Sequence, residues 1–183
     1  MNILFNGDSF TWGFNLEDRS KRYPVLLSNK LNATFTDISD HGCSNRSIIR
    51  RTFNHDVSKY DLAIVSLTFK NRTEFFLDGQ WEKINPGRGK GKKFLEYYEK
   101  YYSEEYGESD EFIYRQALIS HFQAKNVELL LCTSARNSTY PYDLLLNTPD
   151  IPLGDTKHPT EEGHYIISEK IYEKISKMGK IQV

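Results

Sequence analysis

Only two cysteines occur among the 183 residues, Cys43 and Cys132, and neither lies in a C-x-x-C pair. That excludes a disulfide framework and a cysteine-based zinc site, and both side chains are expected as free thiols in a reducing compartment. Long apolar runs are also missing: no segment approaches the roughly 20 residues of a membrane span. The opening MNILFNGDSF has no basic segment ahead of an apolar one, so no secretory leader is expected. The four N-x-[ST] sequons, at Asn32, Asn45, Asn71 and Asn137, then carry no weight. An excess of either charge is lacking too. With 24 basic and 25 acidic residues the net charge is −1, which excludes the overall basic field that drives binding to nucleic acid or an anionic membrane.

What is present describes one compact domain, since a chain of this length can bury a core without disulfides or metals. Asn2 to Asn6 is an apolar run ended by Gly7-Asp8, and it reads as a buried strand entering a loop. Tyr23 to Leu31 has helical spacing at Val25, Leu26, Leu27 and Leu31, and Ala33 to Ser39 reads as the next strand. Ser47 to His55 follows as a helix. Asp61 to Thr68 (DLAIVSLT) and Val127 to Cys132 (VELLLC) are continuous apolar runs, as strands covered on both faces require. Between Thr68 and Glu111 the pattern is irregular, with Trp81 in a polar setting and an aromatic stripe at Phe94, Tyr97, Tyr98, Tyr101 and Tyr102. A second stripe at Phe112, Leu118, Ile119 and Phe122 predicts another helix. Ser134 to Gly154 reads as a long loop. A last helix begins at the cap residue Thr160 and carries Ile167, Ile171 and Ile175 on one face. Alternating strands and helices predict an α/β fold: a three-layer α/β/α sandwich with a parallel, flavodoxin-like sheet and ligands at the carboxyl ends of its strands.

The chemistry-bearing residues fall at those strand ends. A serine hydroxyl is a weak nucleophile until a base removes its proton, and the base works best when a carboxylate fixes its tautomer. Ser9, His158 and Asp155 supply the three roles. An attacked carbonyl also needs hydrogen-bond donors, and the backbone N–H groups of Ser9 and Gly42 are candidates because tight, glycine-bearing loops let backbone approach a substrate. A neutral imidazole is required, so hydrolysis should fall as pH drops through about 6.5.

Two loops carry a specific resemblance. GDSFTWG resembles the first sequence block of the SGNH (GDSL-like) hydrolases, G-D-S-x-T-x-G, and GDTKHPTEEGH resembles the last, D-x-x-H-P-x-x-x-G-H. Gly42 in HGCSNRSI resembles the glycine of the second block, which implies an oxyanion role. The resemblance implies an esterase acting on a small acyl group, such as an O-acetyl on a carbohydrate or related polar molecule, with no cofactor and no metal. The third block departs from the family's G-x-N-D. Here the third strand ends Ser66-Leu67-Thr68-Phe69, so Thr68 stands where the family has an asparagine whose side chain donates to the oxyanion. Thr68 or Asn71 is the replacement candidate, and Asp8, Asn45, Arg72 and Glu74 are candidate pocket residues. The run T-x-x-x-R-x-E resembles that of virus-encoded and other divergent members, and with no leader or membrane span expected the protein is expected to be cytoplasmic or virion-associated.

Rival readings attach to several of these features. The altered third block also fits a weak or inactive SGNH-like domain that binds a glycan or a protein. A nucleotide-binding flavodoxin-like module is disfavoured because PGRGKGKK (Pro86 to Lys93) fails the G-x-x-x-x-G-K-[ST] phosphate loop. That run reads instead as a solvated basic loop. His41, His55 and His121 read as surface or core histidines, and His164 as structural.

Overall fold

The computed structural model describes residues 1–86 and 92–179. Most of the basic run Pro86 to Lys93, and the Phe94 side chain, lie outside the described residues. The strands are β1 (Asn2–Asn6), β2 (Thr34–Asp37), β3 (Leu62–Leu67), β4 (Thr73–Leu77), β5 (Gln80–Ile84), β6 (Glu128–Thr133) and β7 (Leu144–Leu145). The helices are α1 (Ser9–Trp12), α2 (Tyr23–Lys30), α3 (Asn45–Phe53), α4 (Lys92–Lys100), α5 (Glu104–Ala124) and α6 (Glu161–Lys177).

Five strands form one parallel sheet in the order β2-β1-β3-β6-β7. Side chains alternate across it, as the two-residue repeat of a strand dictates. Ile3, Phe5, Ile64, Leu130 and Cys132 face one way, onto Tyr23 and Leu27 of α2 and Ile167, Ile171 and Ile175 of α6. Leu4, Ala63, Val65, Leu67 and Leu131 face the other way, onto Ile48 of α3 and Leu118 and Phe122 of α5. Every residue of β3 is buried, the environment its unbroken apolar run requires. This is the expected α/β/α layering. Chain order reverses between β1 and β3, and the crevice at such a switch point is where open α/β sheets bind ligands.

Several elements differ from the sequence expectation. The irregular stretch after Thr68 contains a hairpin, β4 and β5, turned by Asp78 (φ +49) and Gly79 (φ +84). Asp-Gly is the residue pair that a two-residue turn with both φ values positive demands. The pair Phe76 and Trp81 packs across it with tilted rings 5.3 Å apart. The second aromatic stripe belongs to one 21-residue helix, α5, while Tyr101 and Tyr102 lie beyond the end of α4. The long loop after β6 contributes the two-residue β7. In α2 the buried face is Tyr23, Pro24, Leu27 and Ser28, with Val25 and Leu26 only half-buried. No helix among the described residues is long and apolar enough to cross a membrane.

His164, on the inner face of α6, is fully buried. Its Nδ1 accepts the Tyr23 N–H at 3.3 Å, and among the described residues its Nε2 has no partner. Burial, with Arg22 and His158 nearby, lowers its pKa from 6.5 to about 4. Unfolding therefore takes up a proton between those values. The stability that comes from keeping the ring neutral is complete above about pH 6.5 and declines by about 3 kcal/mol as pH falls to about 4. In His164→Asn the amide oxygen can accept from Tyr23 but does not titrate. The slope of unfolding free energy against pH in that window should then shrink by about one proton; an unchanged slope rules His164 out as its source.

Candidate active site

Gly7 opens the site because nothing larger fits there. A Cβ at that position would lie 2.2 Å from Thr11 Oγ1 and 3.2 Å from Ser66 Cβ. Asp8 caps α1, its Oδ1 accepting the Phe10 N–H at 3.0 Å. Ser9 is the first residue of α1, and Gly13 ends that short helix in a left-handed conformation. His158 lies on the turn before α6, closed by Gly154 N–H to His158 C=O and Lys157 N–H to Gly154 C=O, both 2.9 Å. The two loops meet: Ser9 Oγ and His158 Nε2 are 2.9 Å apart. Phe14 packs against the imidazole with ring centroids 4.8 Å apart, and Phe10 at 6.0 Å. In the tautomer whose Nε2 accepts from Ser9, Nδ1 donates to Thr156 Oγ1 at 3.3 Å. Asn15 Nδ2 donates to the same Thr156 oxygen. Asp155 is exposed on this turn and lines a recess with Thr156 and His158.

Beneath the serine, the Asp8 carboxylate gathers three strand ends. Its Oδ2 accepts from Thr68 Oγ1 after β3 at 2.7 Å and from Ser134 Oγ after β6 at 2.9 Å, with Arg72 Nη1 at 3.5 Å. This corrects the reading of Thr68 as an oxyanion donor. Its one hydroxyl proton goes to Asp8, its oxygen accepts from Arg72 Nη1 at 2.9 Å, and its N–H donates to Asn45 Oδ1 at 2.6 Å. Asn45 is likewise not a pocket residue. Buried, it holds the Thr68 backbone from both sides, its Nδ2 donating to the Thr68 carbonyl at 3.0 Å. Glu74 is buried too, in a two-pronged pair with Arg50 of α3 at 2.8 and 3.0 Å. It braces the hairpin and does not pair with Arg72. The loop bearing Asn71 and Arg72 is fixed by Tyr98, whose hydroxyl donates to the Asn71 carbonyl at 2.7 Å, and by Lys70, 2.9 Å from both Glu104 and Glu108.

Above the serine lies a cleft of about 220 Å³, lined by Phe14, His41, Gly42, Phe69, Asn71, Arg72 and Asn85. Gly42 has φ +66, a conformation that favours glycine. Among the described residues the N–H groups of Ser9 and Gly42 make no hydrogen bond. Arg72 uses one guanidinium nitrogen below and stacks 4.8 Å over Phe69, leaving its other donors for the cleft. A second lobe of about 400 Å³ opens from the same Ser9–His158 pair toward Arg136, Asn147 and Lys157. Sequence reasoning passed over Phe14, His41, Phe69 and Asn85. His41 directly precedes Gly42, but its stacking on Phe14, at 5.5 Å, depends on the fold. Asn85 arrives from the hairpin that was not foreseen. Among the described residues no group of three or more His, Cys, Asp or Glu side chains is placed to hold a metal ion.

No protein-family model and no curated protein matches this sequence, but solved structures match it. The psychrotrophic esterase EstA from Pseudoalteromonas sp. aligns with a TM-score of 0.60 at 14% identity, covering 98% of this chain and 99% of that one. A family two carbohydrate esterase from Clostridium thermocellum, in complex with cellohexaose, aligns at 0.60 and 14%, covering 98% and 65%. The acetyl xylan esterase Est2A from Butyrivibrio proteoclasticus aligns at 0.58 and 16%, also covering 98% and 65%. This chain therefore spans just under two thirds of each of the last two. It shares the α/β fold of these esterases, a parallel sheet with helices on both faces.

The buried carboxylate sets a stability expectation. Asp8→Ala strands two hydroxyls and a guanidinium that now share one acceptor and should lower unfolding free energy by about 3–5 kcal/mol. Ser134→Ala removes one of the three donors and should cost about 1–2 kcal/mol. Denaturant unfolding measures both, and a loss under about 1 kcal/mol for Asp8→Ala would contradict its role as the anchor of the three strand ends.

Proposed function

We propose that this protein is a serine esterase that removes a small acyl group, such as acetyl, from a carbohydrate or related polar alcohol. The observation that carries the reading is the 2.9 Å contact between Ser9 Oγ and His158 Nε2 at the mouth of the cleft. In the proposed reaction His158 takes the Ser9 proton as Oγ attacks the ester carbonyl. The resulting oxyanion is held by the N–H groups of Ser9 and Gly42, with Asn71 or Arg72 replacing the donor that Thr68 does not supply. His158 returns the proton to the departing alcohol, and water then releases the acyl group from Ser9 by the same steps in reverse. Asp155 is assigned to the Nδ1 side of the imidazole, where Thr156 also acts. A cleft of about 220 Å³ is small beside the 300–1,000 Å³ typical of ligand pockets, which suits a short acyl chain. The carbohydrate esterases of the same fold support a sugar alcohol as the other half of the substrate.

On p-nitrophenyl acetate, Ser9→Ala and His158→Ala should each lower kcat/KM by about a thousandfold or more. Activity of the parent should fall on the acid side as the imidazole gains a proton. Asp155→Asn and Thr156→Val divide the Nδ1 role: whichever orients the ring should lose on the order of 100-fold in kcat with little change in KM. Activity that survives Ser9→Ala, or that is flat from mildly acid to alkaline pH, overturns the proposal.

The third donor is tested separately. Loss of one oxyanion donor costs about 100- to 1,000-fold in kcat, and Asn71→Ala and Arg72→Gln should divide on that scale. Thr68→Val should act chiefly on stability, because its hydroxyl serves Asp8. If the parent hydrolyses no ester and Ser9→Ala binds saccharide as the parent does, a binding domain without catalysis replaces the esterase reading.

A further inference from the structure

The second lobe carries a charge pattern that the esterase reading does not use. Its side walls include Arg72, Arg136 and Lys157, against one carboxylate, Asp8. Asp8 is 1% exposed and already accepts from Phe10, Thr68 and Ser134, so it lies at the floor of the lobe with its oxygens engaged and does not neutralise the outer part. Arg136 is held without a counter-ion: its Nε donates to the Asn147 carbonyl at 2.7 Å and its Nη2 to Asn147 Oδ1 at 3.0 Å. Among the described residues neither Arg136 nor Lys157 forms an ion pair. Both residues are exposed at the rim of the lobe, and a guanidinium whose orientation is fixed by neutral groups presents its remaining donors to an anion. Lys157 sits at φ +62, a backbone conformation that glycine and asparagine adopt at lower cost. It carries its ammonium on the residue next to His158.

We infer that the second lobe recognises an anionic group, a carboxylate, sulfate or phosphate, on the alcohol portion of the ester, so that the preferred substrate is an acylated acidic saccharide or similar anionic alcohol. The inference rests on the esterase reading for its chemistry but on Arg136 and Lys157 for its selectivity. The donors Ser9 N–H and Gly42 N–H put the carbonyl and its short acyl chain in the first lobe, which leaves the larger lobe, about 400 Å³, for the alcohol. Arg72 borders both lobes.

The test uses three acetate esters of one aryl scaffold: methyl 4-acetoxybenzoate, which is neutral, 4-acetoxybenzoate and 4-acetoxybenzenesulfonate. Rates are normalised to spontaneous hydrolysis. The parent should prefer at least one anionic ester on the order of tenfold in kcat/KM, and the preference should shrink between about 0.05 and about 0.5 M NaCl. The two anionic arms separate a carboxylate site from one for sulfate or phosphate. Lys157→Asn, whose backbone geometry asparagine tolerates, and Arg136→Gln should each reduce the anionic-to-neutral ratio, and the double variant should bring it near one. If Arg136→Gln fails to fold, Lys157→Asn carries the comparison. Hydrolysis of all three esters at equal normalised rates overturns the anion site and leaves the esterase intact. If none is hydrolysed, the esterase reading falls, and NMR titration with the two anionic esters still decides the site. Binding of an anionic ester, but not the neutral one, that weakens in Lys157→Asn supports it; equal binding of all three overturns it.

Discussion

The arrangement depends on one buried carboxylate. Asp8 follows β1, and its side chain is the common acceptor for hydroxyls at the ends of β3 and β6. Burying a charge costs several kcal/mol unless well-formed hydrogen bonds surround it; here a backbone N–H, two hydroxyls and a nearby guanidinium do so. The three central strands are thereby tied at their carboxyl ends to one point, and the next residue in the chain is Ser9. The position of the serine is set less by its own four-residue helix than by the tie beneath it. Asn45, gripping the Thr68 backbone from both sides, extends the tie to α3.

The same tie explains why the third-strand residue was misread. A threonine where a donor is expected invites the idea that its hydroxyl substitutes for the missing amide. A hydroxyl has one proton, however, and the nearest strong acceptor claims it. Which acceptor is nearest depends on strand register, and Asp8 and Thr68 are 60 residues apart. Arg72 shares the consequence, because bonding Thr68 brings its guanidinium to the wall of the cleft.

Much of the architecture was legible because it follows from short-range patterns. β3 could be read from its unbroken apolar run, α6 from three isoleucines four residues apart, and the Ser9 and His158 loops from compact motifs. What escaped depended on partners distant in sequence. Glu74 stood as a candidate pocket residue and is instead buried in a pair with Arg50, on a helix 24 residues earlier. His41 had no visible partner until the fold stacked it on Phe14. The hairpin alone was missed despite a local signal, since Asp78-Gly79 names its turn; the strands on either side are mostly exposed or half-buried and so lack a core-facing stripe.

Ser9 and His158 are separated by 149 positions, and the five strands of the main sheet pair in parallel, which demands long crossovers and slows folding. As the chain leaves the ribosome, Ser9 emerges before its partner imidazole, which follows only after the five strands of the main sheet. The hydroxyl therefore spends biosynthesis as an ordinary, unactivated alcohol. The contact between the two residues thus reports that the sheet between them has closed, and a truncated or stalled chain would lack it.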